Sequence, residues 1–354
     1  MAAILSRYIV ILFLCSSTVI YAQDPQFTQN YAAPLSVNPA MAGTYGGSFR
    51  ISTVYRDQWR SALDNPLKTF TASGDVKFDA GLGKRTNPDQ FAIGLTFTSD
   101  RISLFEVNTN AIMINGAFHK SLSKKRKEYL GIGFQGGVWQ RSVNYDHLTF
   151  QDQFNAVNGY TLSTSEFLPP NNLTVPDLHV GLYYAVQVSK KLSWHTGLAG
   201  QHINRPNLSF YNDESILNKD IQKINQFYPR YTWHGGVAYS LNYKTEIHPR
   251  ALVMAQGESL SLQLGTNIRL KVTERTGQYL HIGPWIRSVK NQSSLGFESF
   301  SVMTGLERNN FIVGFSYDSP LTYLVRDGQQ YGSFEISLTY IGNYDNDDHF
   351  CPQF

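Results

Sequence analysis

Cysteine is nearly absent from the 354 residues: Cys15 sits in an N-terminal apolar run and Cys351 close to the C-terminus. If that run is removed on export, Cys351 alone remains, which excludes an intramolecular disulfide and a cysteine-based zinc site. Charge is scarce too, at 16% Asp, Glu, Lys and Arg, with a net surplus of +3 that is too small to draw a nucleic-acid partner. Long hydrophobic runs are missing beyond the N-terminus; no later stretch approaches the roughly twenty apolar residues of a membrane helix. Signatures of catalysis are also missing. There is no nucleophile motif, and His179, His195 and His234 have no second ligand at metal spacing, so lumenal polar positions explain them better. Gly131-Ile132-Gly133 lies inside a strand pattern with no helix after it, which argues against a nucleotide loop. No enzyme activity, cofactor or metal is expected.

What the chain has instead is alternation. Phe91-Ile93-Leu95-Phe97 interleave with Ala92-Gly94-Thr96-Thr98, and Phe334-Ile336-Leu338-Tyr340 with Glu335-Ser337-Thr339. A side-chain period of two gives each strand one apolar and one polar face. Strands are expected near 48–58, 67–80, 90–99, 105–121, 127–143, 176–189, 191–204, 230–242, 246–256, 259–272, 278–289, 298–307, 310–319 and 332–342. The apolar sides include Leu130-Ile132-Phe134-Val138 and Leu178-Val180-Leu182-Tyr184-Val186; the opposite sides include Gly131, Gly133, Gln135, Gly137, Thr232, His234, Gly236 and Ser240.

Connections decide between a secreted sandwich or propeller and a membrane barrel. With the first strand running outward, the connections on the inner side are mostly short charged turns, such as Ser189-Lys190-Lys191 and Glu307-Arg308-Asn309-Asn310. The long ones, near 144–175, 205–229 and 319–331, fall on the other side and are rich in Asn, Pro, Tyr and Asp. Short periplasmic turns opposite longer outer loops define an outer-membrane barrel, and closure is what pairs every peptide group in hydrocarbon. The fold class read from the sequence is therefore all-β: a transmembrane outer-membrane antiparallel β-barrel of about fourteen strands, with an N-terminal periplasmic or plug segment. Arg7, the apolar run from Tyr8 to Ile20 and Ala22 before Gln23 read as a secretory signal peptide. Leu14 ahead of Cys15 is too large for a lipoprotein signal. The expected divisions are 1–22 signal peptide, 23–47 plug or periplasmic segment, 48–342 barrel and 343–354 periplasmic tail, with both termini periplasmic.

In the N-terminal segment, Pro34 and Pro39 are expected to make a compact elbow that enters the periplasmic mouth, with Phe27 and Leu35 as apolar anchors. Tyr55-Arg56-Asp57-Gln58-Trp59 sits where the first strand leaves the membrane and reads as an interfacial anchor or a docking rim. The aromatic loops 144–175 and 205–229 suit a lid or a protein-recognition surface. Cys351 beside Phe350 and Phe354 is expected under the rim or in an intermolecular disulfide.

The runs Gln23-Asp24-Pro25-Gln26-Phe27-Thr28-Gln29-Asn30 and Pro34-Leu35-Ser36-Val37-Asn38-Pro39-Ala40-Met41-Ala42-Gly43, then Tyr55-Arg56-Asp57-Gln58-Trp59 and the closing Cys351-Pro352-Gln353-Phe354, resemble the PorP/SprF family over the whole length. Gln353 stands where a basic residue precedes the last aromatic in that family. The resemblance implies a component of the type IX secretion system of Bacteroidota, with three kinds of partner. These are a secreted cargo or gliding adhesin bearing a type IX C-terminal domain, periplasmic type IX machinery, and outer-membrane lipid. The site residues it marks are Phe27, Pro34, Asn38, Pro39, Tyr55, Arg56, Asp57, Trp59, Cys351, Pro352 and Phe354. A channel for hydrophobic or small solutes is the competing reading.

Overall fold

Alternation becomes wall in the computed structural model, which describes residues 24–60, 66–80, 88–102, 106–146, 148–210, 225–273, 277–290, 295–321 and 332–343. The strands are β1 (Phe49–Gln58), β2 (Leu67–Ala80), β3 (Asp89–Ile102), β4 (Val107–Ser121), β5 (Glu128–Val143), β8 (Asn172–Gln187), β9 (Leu192–Gln201), β10 (Arg230–Ser240), β11 (Thr245–Gln256), β12 (Ser259–Thr273), β13 (Gln278–Lys290), β14 (Leu295–Arg308), β15 (Phe311–Pro320) and β16 (Ser333–Gly342). Two-residue β6 (Phe154–Asn155) and β7 (Gly159–Tyr160) form a separate small hairpin. The rest close into one barrel in which each strand pairs antiparallel with its neighbours and β1 meets β16, Phe49 opposite Gly342. The barrel class read from the sequence is the one observed, with strand limits mostly within a few residues.

β8 starts earlier than expected, at Asn172, and carries Pro176 within it. That proline is tolerated because β8 pairs with β9 only from Val180 onward; at Pro176 the strand is bonded to β5 alone.

Burial is inverted relative to a soluble protein. Leu95, Ile114, Phe134, Leu182, Leu198 and Leu306 project outward into exposed positions, whereas Thr71, Asn115, Gln135, Gln263, Ser316 and Glu335 are buried inside. An apolar face this continuous is stable only against hydrocarbon, and the polar face needs partners in the lumen. Val186, expected on the lipid face, is instead buried.

We call the end where β1 begins and β16 finishes the near end. Turns there are short, such as 188–191 and 309–310, whereas the far end carries 144–171 and 202–229. One far-end connection is nevertheless tight: Gly257-Glu258 joins β11 to β12, with Gly257 at φ +58°.

Candidate functional site

Pro34 and Pro39 each stand at the start of a single turn, α1 (Pro34–Val37) and a 3-10 turn (Pro39–Met41), where a missing N–H is no loss. Between them Asn38 is extended, and its Oδ1 accepts the Ala40 N–H at 2.8 Å. The elbow does not stop at the near mouth. Residues 24–47 run through the lumen, from Asp24 among Gln201, Arg230 and Gln256 at the far end of the wall to Gly47 beside Gly342 at the near end. This corrects the expectation that the segment merely enters the near end, the end where β16 finishes.

Charge holds its first part. Glu335 of β16 accepts the backbone N–H groups of Thr28 and Gln29, both at 2.8 Å, and pairs with Arg56 of β1. Arg56 also lies 3.1 Å from Asp318 of β15. The Thr28 hydroxyl donates to Asp318 at 2.8 Å and accepts from Arg287 of β13 at 2.7 Å. The Gln29 amide donates to Ser316 and to the Glu335 carbonyl, while its oxygen receives Ser337 at 2.6 Å and Tyr31 at 3.1 Å. All of these wall groups are buried, so each bond is made in a poorly screened setting.

At the far end, His202 follows the last residue of β9 and bridges two carboxylates, Nδ1 to Asp177 at 2.7 Å and Nε2 to Asp24 at 2.8 Å. Both neighbours are acceptors, so both ring nitrogens carry protons. Burial opposes that charge, but the Asp24 and Asp177 carboxylates prevail and push His202 up to about 9. For Asp24 burial acts upward, yet the His202 and Arg230 cations hold it well below the usual carboxylate range. Phe227 stacks on His202 with ring centroids 3.8 Å apart, and Trp139, Leu173 and Phe227 form an apolar cluster over this end. Asp177, His179 and His202 thus converge, but through hydrogen bonds that use both His202 nitrogens.

Shape holds the second part. The Asn38 amide donates to the carbonyls of Leu182 (2.9 Å) and Leu198 (3.3 Å); Gln201 and Arg230 donate to the Ser36 carbonyl, and Asn115 to that of Pro39. Leu35 is fully buried with Ala42, Ala92 and Ala117. The wall is notched to admit this backbone: a Cβ at Gly133 would stand 2.3 Å from the Ala40 nitrogen, and one at Gly181 1.9 Å from Asn38 Oδ1. Gly43 N–H then reaches Asp75, which Arg50 grips through two nitrogens at 2.9 and 2.8 Å.

Of the residues marked in the sequence, Phe27, Pro34, Asn38, Pro39 and Arg56 meet in the lumen. Phe27 packs with Ala32, Ala33 and Val54 in the farther part of the segment, not at the near mouth. Arg56 was expected at the rim and is instead a buried lumenal ion pair. Inward parity put it on the polar face, where the Asp318 and Glu335 carboxylates gather. Tyr55 remains on the outer face with Phe334 at 6.3 Å, and its hydroxyl donates to Asp57 at 3.2 Å; Arg60 covers Asp57. Trp59 is exposed beyond β1 with φ +59°. Cys351, Pro352 and Phe354 lie outside the described residues. Sequence reading missed Asp24, Gln29, His202, Asp318 and Glu335; the available signal was two carboxylates on the polar side of strand patterns, where a barrel must supply partners.

With hydrocarbon the only solvent that suits the wall, and the chain's own N-terminal segment lodged in the interior, the molecule is a plugged β-barrel of the outer membrane. The model of the family described as type IX secretion system membrane protein PorP/SprF matches residues 19–340, and the chain belongs to that family. It is thereby associated with type IX secretion. No curated protein matches it. Among solved structures it is similar to a TodX monoaromatic hydrocarbon channel mutant, at 10% identity over 88% of this chain and 94% of that one, TM-score 0.47. It is similar also to the Ralstonia pickettii toluene transporter TbuX, at 10% identity, 87% and 92% coverage and TM-score 0.46. A third is the Acinetobacter baumannii outer membrane protein Omp33, at 10% identity, 84% and 100% coverage and TM-score 0.40.

Proposed function

We propose that the chain is a non-enzymatic, sealed platform of the type IX secretion system that helps secrete a cargo protein, such as a gliding adhesin, or hold it at the cell surface. The observation that carries this reading is the occupied lumen: residues 24–43 bond to strands around the circumference, from β1 and β2 through β10 to β16. A filled barrel suits anchoring better than conduction. The short-turn near end faces the periplasm and its machinery, which puts the end of β16 on the periplasmic side and Asp24 toward the outside. The aromatic far-end loops meet a cargo bearing a type IX C-terminal domain. Tyr55, Trp59 and Phe334 belong to the girdle at the lipid boundary, and no nucleic acid is involved.

The test is affinity isolation of the tagged chain from gently solubilised outer membranes, with mass spectrometry of what co-purifies. Enrichment of a large surface protein with a type IX C-terminal domain is expected. Periplasmic machinery without cargo would assign a core role instead. A stable conductance from the purified barrel in planar bilayers would overturn the sealed-platform reading and favour a channel.

A further inference from the structure

Charge matching along the inner wall leaves one guanidinium over. Arg50 pairs with Asp75, Arg56 with Glu335, Arg230 with Asp24, Arg269 with Glu307 and Arg287 with Asp318. Arg141 makes no such pair but shares its cavity wall with Asp24, Asp100 and Asp177. Arg250 of β11 has neither: among the described residues no carboxylate or hydrogen-bond acceptor reaches it, its Nη1 is shielded from solvent without a partner, and its guanidinium lies 5.1 Å over the Tyr31 ring. Arg250 is half-buried with its Nη1 shielded, and a guanidinium so placed beside open space without a counter-charge points to an absent anion.

The space is there. Arg250 stands opposite Gly236 of β10, which stands opposite His195 of β9. A Cβ at Gly236 would lie 2.7 Å from His195 Cε1 and 3.2 Å from Arg250 Cγ, so the glycine lets the two side chains converge. His234 stands close by, its Nε2 facing the Asn38 amide nitrogen at 3.0 Å. Arg250, His195 and His234 line a cavity of about 210 Å³ with Arg50, Tyr31 and Tyr183. It shares Thr44, Tyr183 and His195 with a larger near-end vestibule of about 680 Å³, whose wall carries Lys77 and Lys127 against a single acidic residue, Asp79.

We propose that Arg250 is the anchor of an oxyanion site at the blind end of this vestibule, and that it takes a carboxylate of an acidic peptide segment entering from the near end. A guanidinium fork fits carboxylate and phosphate equally well. Tyr45, Tyr129, Tyr183 and Trp194 along the vestibule favour the peptide, because their ring faces bury a chain's carbon skeleton, area that a free phosphate has no use for. Lys77 and Lys127 draw the acidic segment in, and Arg250 holds the carboxylate that reaches deepest. The site does not depend on which cargo the far end serves.

The experiment uses the full chain in detergent and a fluorescent peptide of alternating Glu and Tyr, with a Gln-for-Glu peptide as control, read by anisotropy. Saturable binding of the Glu peptide alone is expected, weakened by about tenfold or more in Arg250→Gln. Arg250→Lys should fall between the two. Gly236→Leu, whose added carbons push into His195 and Arg250 and break up their convergence, should also abolish binding, and heat-modifiable gel migration checks that each variant folds. Equal binding to Arg250→Gln and the parent chain would overturn the site. Displacement by millimolar inorganic phosphate with no difference between Glu and Gln peptides would overturn the peptide assignment and leave a free-oxyanion site.

Discussion

The two parts of the lumenal segment are fastened by different physics. Residues 24–31 are held by buried charges, with Asp318 and Glu335 facing Arg56 and Arg287, and Asp24 facing His202 and Arg230. Residues 34–43 are held chiefly by fit, with amide side chains reaching wall and segment carbonyls and glycines clearing room for the turn at Pro39. Charge fixes a stretch that begins irregular and ends in a turn at Asn30–Ala32, with Phe27 and Tyr31 as its apolar side chains. Fit fixes a folded elbow. The first should respond to pH and to loss of a partner, the second to added volume.

Removing one partner of the charged set is the strongest way to break this contrast. Glu335→Ala leaves Arg56 buried with only part of its counter-charge and frees the N–H groups of Thr28 and Gln29. A loss of about 3–5 kcal/mol is expected, seen as faster hydrogen exchange in residues 24–31 than in 34–43. Gly133→Val should do the reverse. Its side chain meets the Pro39–Ala40 backbone, and overpacking of about 1–3 kcal/mol or more should expose 34–43 first.

Alkaline pH separates the parts without mutation. His202 rises from 6.5 to about 9 on folding, so its contribution is complete below 6.5 and is lost as pH climbs through 9. Asp24 acts oppositely: its depressed value contributes above 3.8, and the contribution disappears only as pH falls through the folded value. Moving from pH 7 to pH 10 should therefore cost the far-end latch about 2–3 kcal/mol, read as exchange at residues 24–28, and His202→Gln should flatten that dependence. Asn38→Ala is the mildest change, about 2 kcal/mol for a lost cap and two wall bonds, with faster exchange over 38–42.

The wall was legible because its cause is local: a period of two needs no knowledge of partners. Leu130, Ile132 and Phe134 announce their face from spacing alone, as do Gly131 and Gly133 on the other. The lumen was less so. Thr28 meets Glu335 across 307 positions of sequence, and no local pattern marks that pair. At Gly133 and Gly181 the space is taken by the elbow's own atoms, a contact that no spacing along the wall could specify. Arg56 was readable as inward-facing by parity but was weighed with its aromatic neighbours, and Tyr55 and Trp59 drew it to the rim. Prolines 34 and 39 did announce the elbow, since their effect on the backbone is intrinsic.

The charged contacts of residues 28 and 29 are concentrated where β1, β15 and β16 meet, the line along which the sheet joins its first strand to its last. Without the segment, Glu335 loses two of its donors and Asp318 loses the Thr28 hydroxyl. The N-terminal residues thus act as a clasp on the final join: without them its carboxylates keep their arginines but lose the neutral donors that tie β1, β15 and β16 to one another through the lumen.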